Sequence, residues 1–172
     1  PANHQAPATA TSTATIPGGF RFVAYNVENW LTMDRYVRNK EVKDQPKPEA
    51  EKKAVITILV KHKPDVLGLC EIGTQEDLAE IQRSLKGAGI DLPHLHYTGG
   101  TDPTRHLGLL SRFPVTSTAT VADSTFELKG RSFGINRGIL DATLDVGLVS
   151  VAVDDGGLVL GDYNLASASK HC

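Results

Sequence analysis

A layered α/β sandwich, turning to α+β in its second half, is the architecture to expect from these 172 residues. Two strand–helix units follow one another between residues 20 and 89. The remainder breaks into short strands separated by turn residues. Hydrophobic residues make up 40% of the chain, enough for one packed core at a length too short for two comfortable domains. Charged residues account for 22% and the net charge is −2, so no global field draws the chain toward nucleic acid or an anionic membrane. No apolar run reaches the roughly 18 residues that span a bilayer. Two cysteines cannot form a disulfide scaffold or a structural zinc site alone.

The elements follow in order. Residues 1–19 are Ala-, Thr- and Pro-rich with one large aliphatic, Ile16, and cannot fold alone. They are expected to be a flexible arm or linker left from an exported precursor, periplasmic or extracellular. An extended arm that adds a strand to a neighbour is the other reading, and it brings self-association with it. The domain is expected over 20–172. Residues 20–27, FRFVAYNV, read as a central strand covered on both faces. The segment 34–63 holds nine basic and five acidic residues. Its first half, through Pro46 and Pro48, reads as a loop. Its second half reads as a helix with Ala54, Val55, Ile58, Leu59 and His62 as the apolar stripe, ended by Pro64.

Residues 65–71 form a short buried strand with Glu71 at its end. Thr74-Gln75-Glu76-Asp77 resembles a capping box and opens a second helix with Leu78, Ile81 and Leu85 inward and Gly87 and Gly89 at its close. Short strands are expected at 107–111, 116–121, 131–135, 138–146, 148–153 and 158–161. In 138–146, Leu140, Ala142, Leu144 and Val146 share one face, and Asp141, Thr143 and Asp145 share the other. The chemistry falls at strand ends. Asn26 follows the first strand, Glu71 ends the second, and Asp162 and Asn164 sit in Gly161-Asp162-Tyr163-Asn164 after 158–160. If these strands are neighbours, four short polar side chains meet at one rim, where a single carboxylate with waters and a phosphate oxygen can hold Mg²⁺.

Five blocks carry a resemblance. Tyr25-Asn26-Val27-Glu28, Pro64-Asp65-Val66-Leu67-Gly68-Leu69-Cys70-Glu71, Gly108-Leu109-Leu110-Ser111-Arg112-Phe113-Pro114-Val115, Arg137-Gly138-Ile139-Leu140 and Gly161-Asp162-Tyr163-Asn164 stand in that order. Together the chain resembles the endonuclease/exonuclease/phosphatase superfamily, of the deoxyribonuclease I-like type. The resemblance implies a four-layer αββα sandwich, shortened in its second half, and Mg²⁺- or Mn²⁺-dependent hydrolysis of a phosphoester in nucleic acid, a nucleotide or a phospholipid headgroup. It implies Glu71 as metal ligand, Asn26 as organiser of the metal and phosphate site, Asp162 as the residue that positions or deprotonates water, and Asn164 as oxyanion donor. Arg137, Arg105 and His106 are the candidates for contact with substrate.

Two blocks of the family pattern have no counterpart. Residues 145–157 hold no Asn-x-His-Leu motif, and Ser169-Lys170-His171 has lysine where Ser-Asp-His needs aspartate. The expectation therefore divides between a longer enzyme and a catalytically inactive relative that acts in assembly through its arm and open sheet edges. Cys70 is expected as a buried thiol, and its pairing with Cys172 stays open. Trp30 and Tyr36 are expected to pack, with base or sugar stacking as the alternative.

Overall fold

The computed structural model describes residues 19–121, 125–146, 150–154 and 157–161. The chain order is β1 (Phe22–Trp30), β2 (Met33–Val37), β3 (Lys40–Gln45), α1 (Glu49–His62), β4 (Val66–Ile72), α2 (Gln75–Gly87), β5 (His94–Thr98), β6 (His106–Ser111), β7 (Val115–Val121), β8 (Thr125–Leu128), β9 (Arg131–Gly134), β10 (Ile139–Leu144), β11 (Ser150–Asp154) and β12 (Gly157–Gly161). The arm at 1–18 and the segment 162–172 lie outside the described residues.

A four-stranded sheet ordered β1-β4-β6-β5 is the frame. β1 and β4 run parallel across the α1 crossover, while β6 is antiparallel to both β4 and β5. Its alternating side chains feed two cores. Leu67, Leu69 and Ile72 of β4 join Val55 and Leu59 of α1 and Leu78, Ile81 and Leu85 of α2 on one side. Val66, Leu107 and Leu109 join Leu140, Ala142 and Leu144 of β10 on the other. β10 pairs antiparallel with β7. The described residues thus form an α/β sandwich of three layers, with both helices on one face. β11 pairs with β12, β11 lies against β10, and β12 touches β1. No helix among the described residues is long and apolar enough to cross a membrane.

Several sequence expectations need correction. β1 stands at the edge of the hydrogen-bonded sheet, not at its centre. The first half of 34–63 is a hairpin, β2–β3, rather than a loop. Arg38 and Asn39 at its turn have φ of 50° and 61°, the type I′ signature that polar residues hide from a search for apolar alternation. The α1 stripe is rotated by one position. Val55 and Leu59 are buried and Ile56 and Val60 pack beside them, whereas Ala54, Ile58 and His62 face water. β5, with two histidines, and β8 lie outside the strands expected from the sequence. Cys70 is half-buried against the second core rather than fully buried.

Other expectations hold. Pro64 follows α1, whose C-cap Lys63 is left-handed with φ of 47°. Thr74 Oγ1 accepts the Asp77 N–H at 3.2 Å and Asp77 Oδ2 accepts the Thr74 N–H at 2.7 Å, closing the capping box. Leu140, Ala142, Leu144 and Val146 are all buried. Trp30 is buried, and its indole N–H donates to Glu80 at 2.9 Å, so it packs.

Candidate active site

The site begins with a break in the β1–β4 register. Asn26 pairs with Cys70, and the next pair is Trp30 with Ile72, so three residues of β1 face one of β4. The slack is taken up by left-handed backbone at Glu28 (φ 53°), Asn29 (φ 59°) and Glu71 (φ 67°). Strict alternation would send Glu71 toward the helical core and Ile72 away from it. The bulge reverses that, seating Ile72 in the core and leaving the carboxylate at the rim. Left-handed backbone costs a non-glycine residue about 1–2 kcal/mol, so the arrangement needs support.

Support comes from three directions. Lys47, buried just ahead of α1, donates from Nζ to the Glu28 carbonyl at 2.9 Å and to Glu51 Oε2 at 3.0 Å. Arg35 of β2 donates to the Asn29 carbonyl at 2.8 Å and the Leu31 carbonyl at 3.0 Å. The Trp30 carbonyl accepts the Gly73 N–H at 3.0 Å. The strained segment therefore leaves none of these carbonyls unmatched.

Glu71 is the hub. Its Oε1 accepts from Asn26 Nδ2 at 3.0 Å and from the Arg137 guanidinium at 3.0 Å. Its Oε2 accepts the Asn29 N–H at 3.0 Å. Asn26 Oδ1 accepts the Glu28 N–H at 2.8 Å, which fixes the amide orientation. Arg105 Nε donates to Asn29 Oδ1 at 2.8 Å. The Glu71 side chain is only 14% exposed, whereas that of Arg137 is 34% exposed, so the guanidinium bridges the hub to solvent.

The two arginines sit on loops that brace each other. Gly100 and Gly138 meet backbone to backbone. A Cβ on Gly100 would lie 2.4 Å from the Gly138 nitrogen and 2.6 Å from the Asn136 carbonyl oxygen. Asp102 N–H donates to that same Asn136 carbonyl at 2.7 Å. Gly138 has φ of 77°, a conformation a side chain would strain. Asp102 Oδ1 accepts from the Thr104 N–H at 2.9 Å and the Arg105 N–H at 3.1 Å. The Thr104 N–H foremost, helped by its hydroxyl and by Arg105 against the opposing pull of burial, holds the Asp102 carboxyl below its ordinary pKa.

The structure thus brings Asn26, Glu71 and Arg137 into direct contact and joins Arg105 to them through Asn29. His106 stands apart. Its ring lies 5.1 Å from the Tyr97 ring and its Nδ1 is buried without a hydrogen-bond partner. Asp162 and Asn164 lie outside the described residues. Sequence reasoning passed over Asn29, Lys47 and Arg35. The adjacent Glu28-Asn29 pair, polar residues interrupting an apolar strand, was the available signal for Asn29.

Among the described residues no group of three or more His, Cys, Asp or Glu side chains is placed to hold a metal ion. Glu71 nonetheless offers hard carboxylate oxygens, while the Asn26 amide turns its nitrogen to that carboxylate and its oxygen to the Glu28 N–H. A single carboxylate suits Mg²⁺ only where waters and substrate oxygens supply the rest of its shell.

No protein-family model and no curated protein matches the chain. Among solved structures, it is similar to an endonuclease/exonuclease/phosphatase family protein from Leptotrichia buccalis C-1013-b, with a TM-score of 0.49 and 14% identity, covering 74% of this chain and 49% of that one. The chain spans about half the length of that protein.

Proposed function

We propose that the chain is a phosphoester hydrolase dependent on a divalent ion, Mg²⁺ or Mn²⁺, centred on Glu71. One observation carries the reading. A carboxylate is lifted out of strand alternation by strained backbone and ringed by an amide, a backbone N–H and a guanidinium. The bulge seats Ile72 in the core, and strain of this kind concentrates at functional sites. Glu71 would hold the ion through its carboxylate, with waters and substrate oxygens completing the shell. The ion would supply Lewis acidity at the phosphoryl oxygen. Arg137 and Arg105 bring guanidinium donors to the same rim, suited to non-bridging phosphate oxygens. Asn26 orients the carboxylate. Asp162 and Asn164, which follow β12 in the chain, are the residues for water activation and oxyanion donation. Nucleic acid, nucleotides and phospholipid headgroups all present the group that this set can bind.

The test is turnover of bis(p-nitrophenyl) phosphate with Mg²⁺ or Mn²⁺, beside calorimetric titration of the metal. Glu71→Gln keeps the shape and removes the charge. It is expected to lower kcat/KM at least about a hundredfold and to abolish the metal-binding heat. Equal turnover in wild type and Glu71→Gln, or wild-type turnover unaffected by chelation, overturns the reading.

A further inference from the structure

Two hairpin tips share one pattern. Val37-Arg38-Asn39-Lys40 closes β2–β3 and Leu128-Lys129-Gly130-Arg131 closes β8–β9. In each, an aliphatic residue pairs with a cation across the strands, Val37 with Lys40 and Leu128 with Arg131. In each, the first turn residue is a long cation in the left-handed region, Arg38 at φ 50° and Lys129 at φ 51°. Asn, Asp or Gly serves that turn position more cheaply, so the turn itself does not account for the cations. None of these four basic side chains has an ion-pair partner among the described residues. Lys43, farther down the first hairpin, is paired with Asp34 at 2.6 Å.

The same hairpins hold five of the six large hydrophobic residues that stand exposed among the described residues: Tyr36, Val37, Phe126, Leu128 and Phe133. Every residue of β8 and β9 is exposed, so that hairpin projects into solvent on both faces. Phe126 pairs directly with Phe133, their rings 5.7 Å apart and inclined by 21°, which preforms an apolar face. Leu128 shares that face by strand alternation. Both hairpins spring from the site. Arg35 in β2 holds the Asn29 and Leu31 carbonyls. β9 leads through Ile135 and Asn136 into Arg137, which grips Glu71.

We propose that the two tips seat the chain on an anionic phospholipid surface and present the Glu71 site to phosphoester headgroups. The inference rests on the hydrolase reading and narrows its substrate to lipid. Basic residues answer the negative headgroup layer, and the apolar side chains beside them enter the boundary with the acyl chains. Single-stranded nucleic acid would use the cations and the aromatic rings. It has no use for an aliphatic residue at each tip, Val37 and Leu128, whereas a bilayer uses all three kinds.

The experiment is co-sedimentation of the full chain with phosphatidylcholine vesicles, with and without phosphatidylglycerol. Binding is expected with phosphatidylglycerol, weakened by added salt. Arg38→Gln combined with Lys129→Gln should weaken it roughly thirtyfold, as loss of two surface cations warrants. Leu128→Ser combined with Phe126→Ser should weaken it as strongly. Both pairs are exposed, so unchanged circular dichroism and unchanged turnover of soluble bis(p-nitrophenyl) phosphate are expected beside the binding loss. Glu71→Gln should sediment with vesicles like wild type, which separates the two readings. Vesicle binding without turnover by wild type sinks the hydrolase and leaves the surface attachment. Turnover without vesicle binding sinks the lipid inference alone. It is also overturned if a single-stranded oligonucleotide displaces the protein from vesicles and loses affinity in both variants, or if the apolar variant abolishes a concentration-dependent dimer instead.

Discussion

Gly100 shows how little room the site allows. Its missing side chain lets the Arg105 loop touch the Arg137 turn, and the atoms in the way of a Cβ are all backbone. Gly100→Ala must push the two loops apart, at a cost of about 1–3 kcal/mol. Its activity on soluble phosphodiester should fall more than its thermal midpoint suggests, because Arg137 loses its aim at Glu71. A midpoint shift without a kcat/KM effect would show that the loops do not position the guanidinium. His96 gives a second residue-scale prediction. Burial holds its imidazole below the usual pKa of 6.5, and its Nε2 is buried without a hydrogen-bond partner. The unfolded chain therefore binds the proton first as pH falls. The stability this residue contributes is complete above about pH 6.5 and is lost as pH drops from there through the folded-state pKa. Urea midpoints should decline over that window in wild type and flatten in His96→Gln. At this scale the sequence was legible where residue type alone limits the chemistry, as at Asn26 and Glu71. It was opaque for Lys47 and Arg35, which belonged to a mixed charged segment. Nothing local separates a lysine that caps a strained carbonyl from one that is merely solvated.

Among the elements, α2 was readable because its signals agree. A capping box opens it, and Leu78, Ile81 and Leu85 recur at helical spacing. α1 was readable as a helix but not in phase. The run from Ala54 to Leu59, apolar but for Thr57, offers two stripes, and the sheet decides between them. Paired substitutions test the outcome. Leu59→Ala, which empties a core position, should cost about 2–5 kcal/mol in a urea titration. Ile58→Ala on the outer face should cost well under half as much. The reverse order would return the stripe to Ile58. β2, β3, β5 and β8 were missed or misread for a common reason. Their charged or histidine side chains mask the alternation, and the β2–β3 turn uses left-handed Arg38 and Asn39 instead of the glycine-containing dipeptides that mark hairpins.

For the whole molecule, the order of the layers was legible. Two strand–helix units followed by short strands do give helices against a sheet and a second sheet behind it. The fourth layer implied by the family resemblance has no counterpart among the described residues. The site depends on the largest-scale feature of the fold. Asn26 and Glu71 are 45 residues apart in sequence and meet only once β1 and β4 lie parallel. No local turn can bring them together, so the cluster is expected to form late in folding. The chain's single tryptophan, Trp30, sits one residue beyond Asn29 and pairs with Ile72, one beyond Glu71. Its fluorescence is therefore a built-in clock for that closure. During refolding from urea, recovery of phosphodiester turnover should keep pace with the indole signal and trail the return of helical dichroism.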